Sequence, residues 1–281
     1  MPRAAILAFD GCYASSVAGF ADILQIANSH LRLDRAPASA LFDWRFVSPS
    51  GETAMASNGL PLPTHKLGPR ERYDLVFVPS FHYGGHRQFD QFLERQADAC
   101  AWLTAQWRAG AWVAANCTGT FILAQTGLLD GRTATTTWWM ERQFRAKFPR
   151  VDLQLRPVVT EMDRLICAGA SASYLIQTVY IVERFAGPAI ASQCAKAMLI
   201  DVSQTSQIPY LPLLAQKNPT LAARQYDEGP QDHRACRRAC GQRQNADPAL
   251  SQRAGPNATR LPSGSSPGGS ARAAGDQFAQ R

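Results

Sequence analysis

The sequence predicts an α/β domain with a largely parallel sheet and helices on both faces. Short apolar runs bounded by turn residues alternate with longer segments of helical period, the pattern of strands joined by crossover helices. One run, Leu75, Val76, Phe77 and Val78, is apolar at every position between Asp74 and Pro79, as a central parallel strand is. A shift in composition after about Leu214 limits the domain to 1–214. Residues 217–281 are rich in Pro, Gly, Ser, Ala, Gln and Arg. Their few large apolar residues, such as Leu221, Tyr226 and Phe278, show no period. Such a segment does not bury enough surface to offset its ordering entropy, so 215–281 is expected to be a low-complexity, disordered basic tail.

In chain order, Ile6 to Phe9 reads as the first strand and Asp10-Gly11 as the turn after it. A helix follows over 15–28, with Val17, Phe20, Ile23, Leu24 and Ala27 on one face and Ser15 or Ser16 as its cap. Residues 30–40 read as a polar connection. Phe42, Trp44, Phe46 and Val47 make a second strand, and Pro61, Pro63 and Pro69 keep the next stretch irregular. After the 75–78 strand comes Ser80-Phe-His-Tyr-Gly-Gly-His86, a loop at a sheet edge where open α/β sheets bind ligands. Gly84 and Gly85 let a backbone approach closely there, and they argue against a helix presenting His82 and His86 to a metal. A helix is expected over 88–108. Beyond Gly127 come a β-branched run at 133–137, a helix over 138–148, strands near 158–160 and 165–167, and helices over 174–185 and 189–201.

The chemistry-bearing stretch is Asn116-Cys-Thr-Gly-Thr-Phe121. The apolar run 112–115 predicts a buried strand. Cys117 stands at a sharp turn, and Phe121, Ile122, Leu123 and Ala124 begin a helix. Strand, tight turn and helix with a nucleophile-type side chain at the turn is the logic of a nucleophile elbow. Turn amides and a helix N-terminus would favour thiolate there. Cys12, Cys100, Cys167 and Cys194 sit in apolar surroundings and read as packing residues.

Composition narrows the class. The hydrophobic content of 46% suits a globular protein with a real core, and no run of 18 apolar residues predicts a membrane span. The N-terminal apolar stretch is too short for a signal peptide. Seven cysteines without a paired framework point to a reducing cytoplasm. His233, Cys236 and Cys240 lack the fourth ligand of a zinc site, so no metal and no cofactor are expected. Residues 1–216 hold 19 basic and 17 acidic side chains, and residues 217–281 hold 10 and 5, so the net charge of +7 belongs mostly to the tail. Arg234, Arg237, Arg238 and Arg243 there suit phosphate contact without sequence reading.

The residues also carry a resemblance. Asn116-Cys-Thr-Gly-Thr-Phe, Gly127-Leu-Leu-Asp-Gly-Arg-Thr-Ala-Thr-Thr, Trp138-Trp139, Phe144 with Phe148-Pro149, Ala168-Gly-Ala and Val182-Glu-Arg-Phe-Ala-Gly-Pro188 occur in this order. Together they resemble, over about residues 4–214, the N-terminal domain of GlxA-type AraC/XylS transcriptional regulators. That domain is of the ThiJ/PfpI, class I glutamine-amidotransferase-like superfamily. The resemblance implies a flavodoxin-like three-layer sandwich, usually dimeric, with the elbow cysteine lining a pocket for a small-molecule effector. Ser206-Gln-Ile-Pro-Tyr210 resembles the junction before the DNA-binding domain of such regulators. Residues 217–281 offer no amphipathic helix pattern for that domain, so DNA is a partner only if a functional C-terminal domain exists.

Three positions depart from the family pattern. Ser16 stands where relatives carry an acid on the first helix, Thr137 where a histidine commonly follows the elbow, and Ile176 where an aspartate is frequent. Cys117 therefore lacks its usual carboxylate and imidazole partners, with His82 and His86 of the neighbouring loop as the substitutes to consider. The expected function is a non-catalytic, ligand-sensing, dimerising domain of a cytoplasmic regulator, with no membrane partner. Asn116, Cys117 and the Thr118 N–H form the pocket floor in this reading. Gly84 and Gly85 form the rim, and Asp10, Ser16 and Thr137 hydrogen-bond the effector. The alternatives are a cysteine-dependent hydrolase, amidase or glyoxalase acting through Cys117, and a sensor that oxidises the same thiol.

Overall fold

The structure is a computed structural model that describes residues 1–68 and 70–210. The expected domain end at 214, the disordered tail and its arginine and His/Cys clusters lie outside the described residues. In chain order the elements are β1 (Arg3–Leu7), α1 (Ala14–Leu33), β2 (Asp43–Ser48), β3 (Ala54–Met55), β4 (Pro61–Leu62), β5 (His65–Lys66), β6 (Leu75–Val78), α2 (His86–Glu94), α3 (Ala97–Arg108) and β7 (Trp112–Asn116). They continue with α4 (Gly119–Gln125), β8 (Thr133–Ala134), α5 (Glu141–Lys147), β9 (Asp152–Leu153), β10 (Val159–Met162), β11 (Leu165–Ala168), α6 (Tyr174–Ala186) and α7 (Pro188–Ala197).

Seven strands form the main sheet in the order β10-β11-β7-β6-β1-β2-β5. Every pair is parallel except β10–β11. Register aligns Ala4 with both Trp44 and Leu75, Val76 with Val113, and Ala115 with Cys167. The chain steps from β1 to β2 in one direction, and from β6 to β7 in the other. Right-handed crossovers then place α1 and α3 on opposite faces. α1 packs with α6 and α7 in one layer, and α3 packs with α4 in another. The predicted mostly parallel, flavodoxin-like sandwich is the observed one. Its switch point lies at the carboxyl ends of β1 and β6, where such sheets leave a crevice.

The predicted face of α1 is all interior: Val17, Phe20, Ile23, Leu24 and Ala27 are fully buried. Phe20 stacks on Phe77 of β6 with ring centroids 4.1 Å apart. The helix runs five residues beyond the expected end at Asn28. Leu31 is buried one turn after Ala27, and His30 and Arg32 in the last turn suit the negative end of the dipole, so this polar-looking stretch is helical. Neither Ser15 nor Ser16 caps it: the cap residue is Tyr13, whose carbonyl accepts a 2.9 Å bond from Ser16 Oγ. The helix expected over 88–108 is two helices, broken at Arg95 and Gln96. Between Pro49 and Pro69, β3 pairs with β4, and β5 extends the edge beyond β2, so this stretch is more regular than its prolines suggest.

Candidate functional site

The turn after β7 is built one residue at a time. Cys117 has φ 52°, a left-handed conformation that L residues rarely hold without support. Its N–H donates to the Ala168 carbonyl at 2.9 Å, and its own carbonyl accepts from Thr136 Oγ1 at 2.8 Å. The next hydroxyl, Thr118 Oγ1, accepts from the Phe81 N–H at 2.7 Å and donates to the Phe81 carbonyl at 2.9 Å. Gly119 follows because nothing larger fits: a Cβ there would stand 2.5 Å from the Pro79 carbonyl oxygen and 2.7 Å from that of Val78. One short motif thus ties β7 to the ends of β11 and β6. Phe121 anchors the helix beyond, edge-on to both Phe89 and Phe144 at 4.9 Å.

The thiol itself is 3% exposed. Burial pushes its pKa up to about 11, against a partial pull downward from the Thr118 N–H and the Thr137, Thr118 and Ser171 hydroxyls. Desolvation outweighs the turn amides, which corrects the expectation of a favoured thiolate. The helix end adds little, since α4 is only seven residues long. The groups that act most on the thiol are one backbone amide and three hydroxyls, with no carboxylate or imidazole among them.

Hydroxyls surround it instead. Ser80 Oγ lies 3.4 Å from Ser16 Oγ and 3.2 Å from Ser171 Oγ, a chain from the first helix across the end of β6 to the loop after β11. Tyr13 also interacts with Cys117, and burial raises its phenol pKa. Asn116 Nδ2 donates to the Ala170 carbonyl at 3.2 Å, while Asn116 Oδ1 is buried without a hydrogen-bond partner among the described residues. That open polar atom, close to a neutral thiol, is the polar feature a ligand would meet.

The structure therefore gathers Ser16, Asn116, Cys117, Thr118 and Thr137 into one buried cluster, and adds Tyr13, Ser80 and Ser171, which the sequence reading did not select. Ser80 and Ser171 each follow a buried strand at its carboxyl end, and that position was the available signal. Among the described residues, Asp10, Gly84 and Gly85 share no hydrogen bond with this cluster. Asp10 is exposed, and its Oδ1 accepts from the Met55 N–H at 2.8 Å, fastening β3. Gly85, with φ 101°, turns the chain into α2, and a Cβ on Gly84 would run into the Gln88 side chain. His82 and His86 are exposed, and the His86 ring lies against Tyr83. Among the described residues, no three His, Cys, Asp or Glu side chains stand together as a metal site needs, and no helix is long and apolar enough to cross a membrane.

Known proteins share this fold. The chain is 27% identical over 186 residues to the HTH-type transcriptional regulator CdhR of Pseudomonas aeruginosa, an alignment covering 66% of this chain and 52% of that protein. The chain thus spans about half the length of the curated relatives it matches. A crystal structure of a putative transcriptional regulator protein from Vibrio parahaemolyticus superposes with a TM-score of 0.61 at 18% identity, covering 70% of this chain and 98% of that one. Drosophila melanogaster DJ-1beta superposes with a TM-score of 0.59 at 19% identity, covering 71% and 98%. These superpositions share the fold. The sequence matches the DJ-1/PfpI family over residues 3–177, well over half its length, and the chain belongs to that family.

Proposed function

We propose that residues 1–214 are the ligand-sensing part of an AraC-type transcriptional regulator, acting as a homodimer in the cytoplasm, and that Cys117 performs no covalent chemistry in it. The observation that carries this is the state of the thiol: buried, with its pKa near 11, and ringed by hydroxyls with no base among them. A general base must reach the nucleophile's proton, and serine and threonine hydroxyls do not serve near neutral pH. The relationship to CdhR, named as a transcriptional regulator, supports the sensing role. Asn116, Cys117 and Thr118 form the floor of the effector site in this reading, beside Ser16 and Thr137. Gly84 and Gly85 form its rim in this reading, and Asp10 joins Ser16 and Thr137 in hydrogen-bonding the effector. The composition of 217–281 supports sensing without sequence-specific DNA reading.

Alkylation tests the proposal. Iodoacetamide at pH 6 should label Cys117 no faster than a model thiol, followed by peptide mass spectrometry. Labelling many times faster would favour the hydrolase or amidase reading instead.

A further inference from the structure

A cleft of about 430 Å³ opens beside the buried cluster, within the range of roughly 300–1,000 Å³ typical of small-molecule sites. One wall is Trp138 and Ala170, the neighbours of Thr137 and Ser171, with Leu175 and Ile176 of α6. The other wall is the segment after α7, including Leu199 and Asp201. The lining is mainly apolar, and among the described residues Asp201, exposed at the mouth with its Oδ1 accepting from the Ser203 N–H and hydroxyl, is its only ionisable side chain. Ile176 keeps the inner wall apolar.

Leu199 is anomalous on two counts. It has φ 52°, and it sits just past the end of α7, where Leu199 N–H reaches the Lys196 carbonyl at 3.3 Å and Ile200 N–H reaches the Ala195 carbonyl at 2.9 Å. Glycine is the usual residue at that helix-ending position. Its side chain is also 91% exposed. A strained backbone and a leucine in water gain nothing within the described residues, yet the side chain borders the cleft.

The segment that carries Leu199 is tied back to the site. Gln207 is buried, and its Nε2 donates to Thr135 Oγ1 at 3.0 Å and to the Pro157 carbonyl at 3.1 Å. Its Oε1 has no partner. Thr135 lies beside Thr136, whose hydroxyl holds the Cys117 carbonyl.

We propose that this cleft binds a small apolar amine, its body between Trp138 and Ile176, its ammonium at Asp201, and Leu199 folded over it. The proposal deepens the sensing reading and rests on it for its biological meaning, while the binding itself is measured independently. Among the described residues the cleft offers a carboxylate or phosphate no cationic side chain, and such a ligand would face Asp201.

Calorimetric titration of the full chain with phenethylamine, phenethyl alcohol and phenylacetate tests this with three ligands of similar shape and different charge. Saturable binding is expected for the amine, weaker binding for the alcohol and none for the acid. Leu199→Gly should weaken the amine by about tenfold with an unchanged circular dichroism spectrum, as expected for losing a leucine's burial against the ligand. Asp201→Asn should erase the preference for amine over alcohol. Absence of saturable amine binding would overturn the proposal, as would equal binding of the acid or unchanged amine affinity in Leu199→Gly. Loss of a dimer in Leu199→Gly with amine binding intact would assign Leu199 to a second copy of the chain and overturn it too. Fast alkylation of Cys117 with amine binding preserved would remove the non-catalytic reading alone.

Discussion

Gly119 and Pro79 are pressed together: a Cβ on Gly119 would stand 2.5 Å from the Pro79 carbonyl oxygen. Both partners are rigid backbone at the carboxyl ends of adjacent parallel strands, so neither yields easily. The contact fixes where Cys117 sits relative to the crevice. Gly119→Ala should therefore destabilise the fold by about 2–3 kcal/mol, the scale of overpacking in a closed site. Urea denaturation reads this directly. A loss within the error of the measurement would mean that the strands can part, and the bend is less fixed than described.

Burial of Cys117 links stability to alkaline pH. Its folded pKa of about 11 lies above the ordinary thiol value of 9.0. The unfolded chain therefore loses this proton first, and as pH rises from 9 towards 11 deprotonation favours unfolding. The contribution is complete below pH 9 and lost as pH passes the folded value. Thermal melts of the wild type should fall more steeply over that window than those of Cys117→Ala, by up to about 3 kcal/mol of stability across it. Cys167, pushed up to about 12, and Cys100 and Cys194, up to about 11, remain in both proteins and cancel in the comparison. Parallel profiles would show that the thiol is less desolvated than its burial implies.

Leu199→Gly should stabilise the ligand-free chain by about 1 kcal/mol. The left-handed conformation costs a non-glycine residue roughly 1–2 kcal/mol, and the exposed leucine has little burial to lose. The flexibility that glycine adds to the unfolded chain reduces the gain. Guanidinium titration of both proteins measures the difference. A clear destabilisation would show that Leu199 has an unrecognised packing partner.

The Gln207 contact predicts a local effect. Residues 205–207 lie beside 156–158, with the Val158 N–H on the Thr205 carbonyl at 3.0 Å and the Gln207 N–H on the Arg156 carbonyl at 2.8 Å. Gln207 side-chain atoms occupy the space a Cβ on Gly169 would need. Gln207→Leu removes the donor to Thr135 and Pro157, at roughly 1–3 kcal/mol for buried groups left unpaired. Hydrogen exchange should accelerate at the Val158 and Gln207 amides and stay unchanged in β6 and β7. Uniform acceleration would indicate global loosening instead of a released segment.

Much of this was legible in the sequence, for identifiable reasons. The 75–78 strand is buried on both faces, so its apolar run needed no partner to be read. The bend at Cys117 showed through the local pattern of an apolar run, Asn116, and then Thr118 and Gly119 opening a helix, whereas the steric need for Gly119 is set by Val78 and Pro79 at the end of β6 and did not show. The hydroxyl cluster did not show, because Ser80 and Ser171 meet only through the sheet, 91 positions apart in the chain. The thiol's charge state was misread for a related reason. Turn amides are visible in the local sequence, while desolvation depends on what the rest of the fold lays over the sulfur. The continuation of α1 through His30 and Arg32 was missed because polarity was read as a loop, although Leu31 keeps the helical spacing.

The most direct measurement is an ultraviolet thiolate titration of the intact chain, taken as the difference between wild type and Cys117→Ala. The account predicts no thiolate signal from Cys117 at neutral pH, with absorbance growing only as pH approaches 11. A thiolate already present at pH 7 would contradict it and return Cys117 to the nucleophiles.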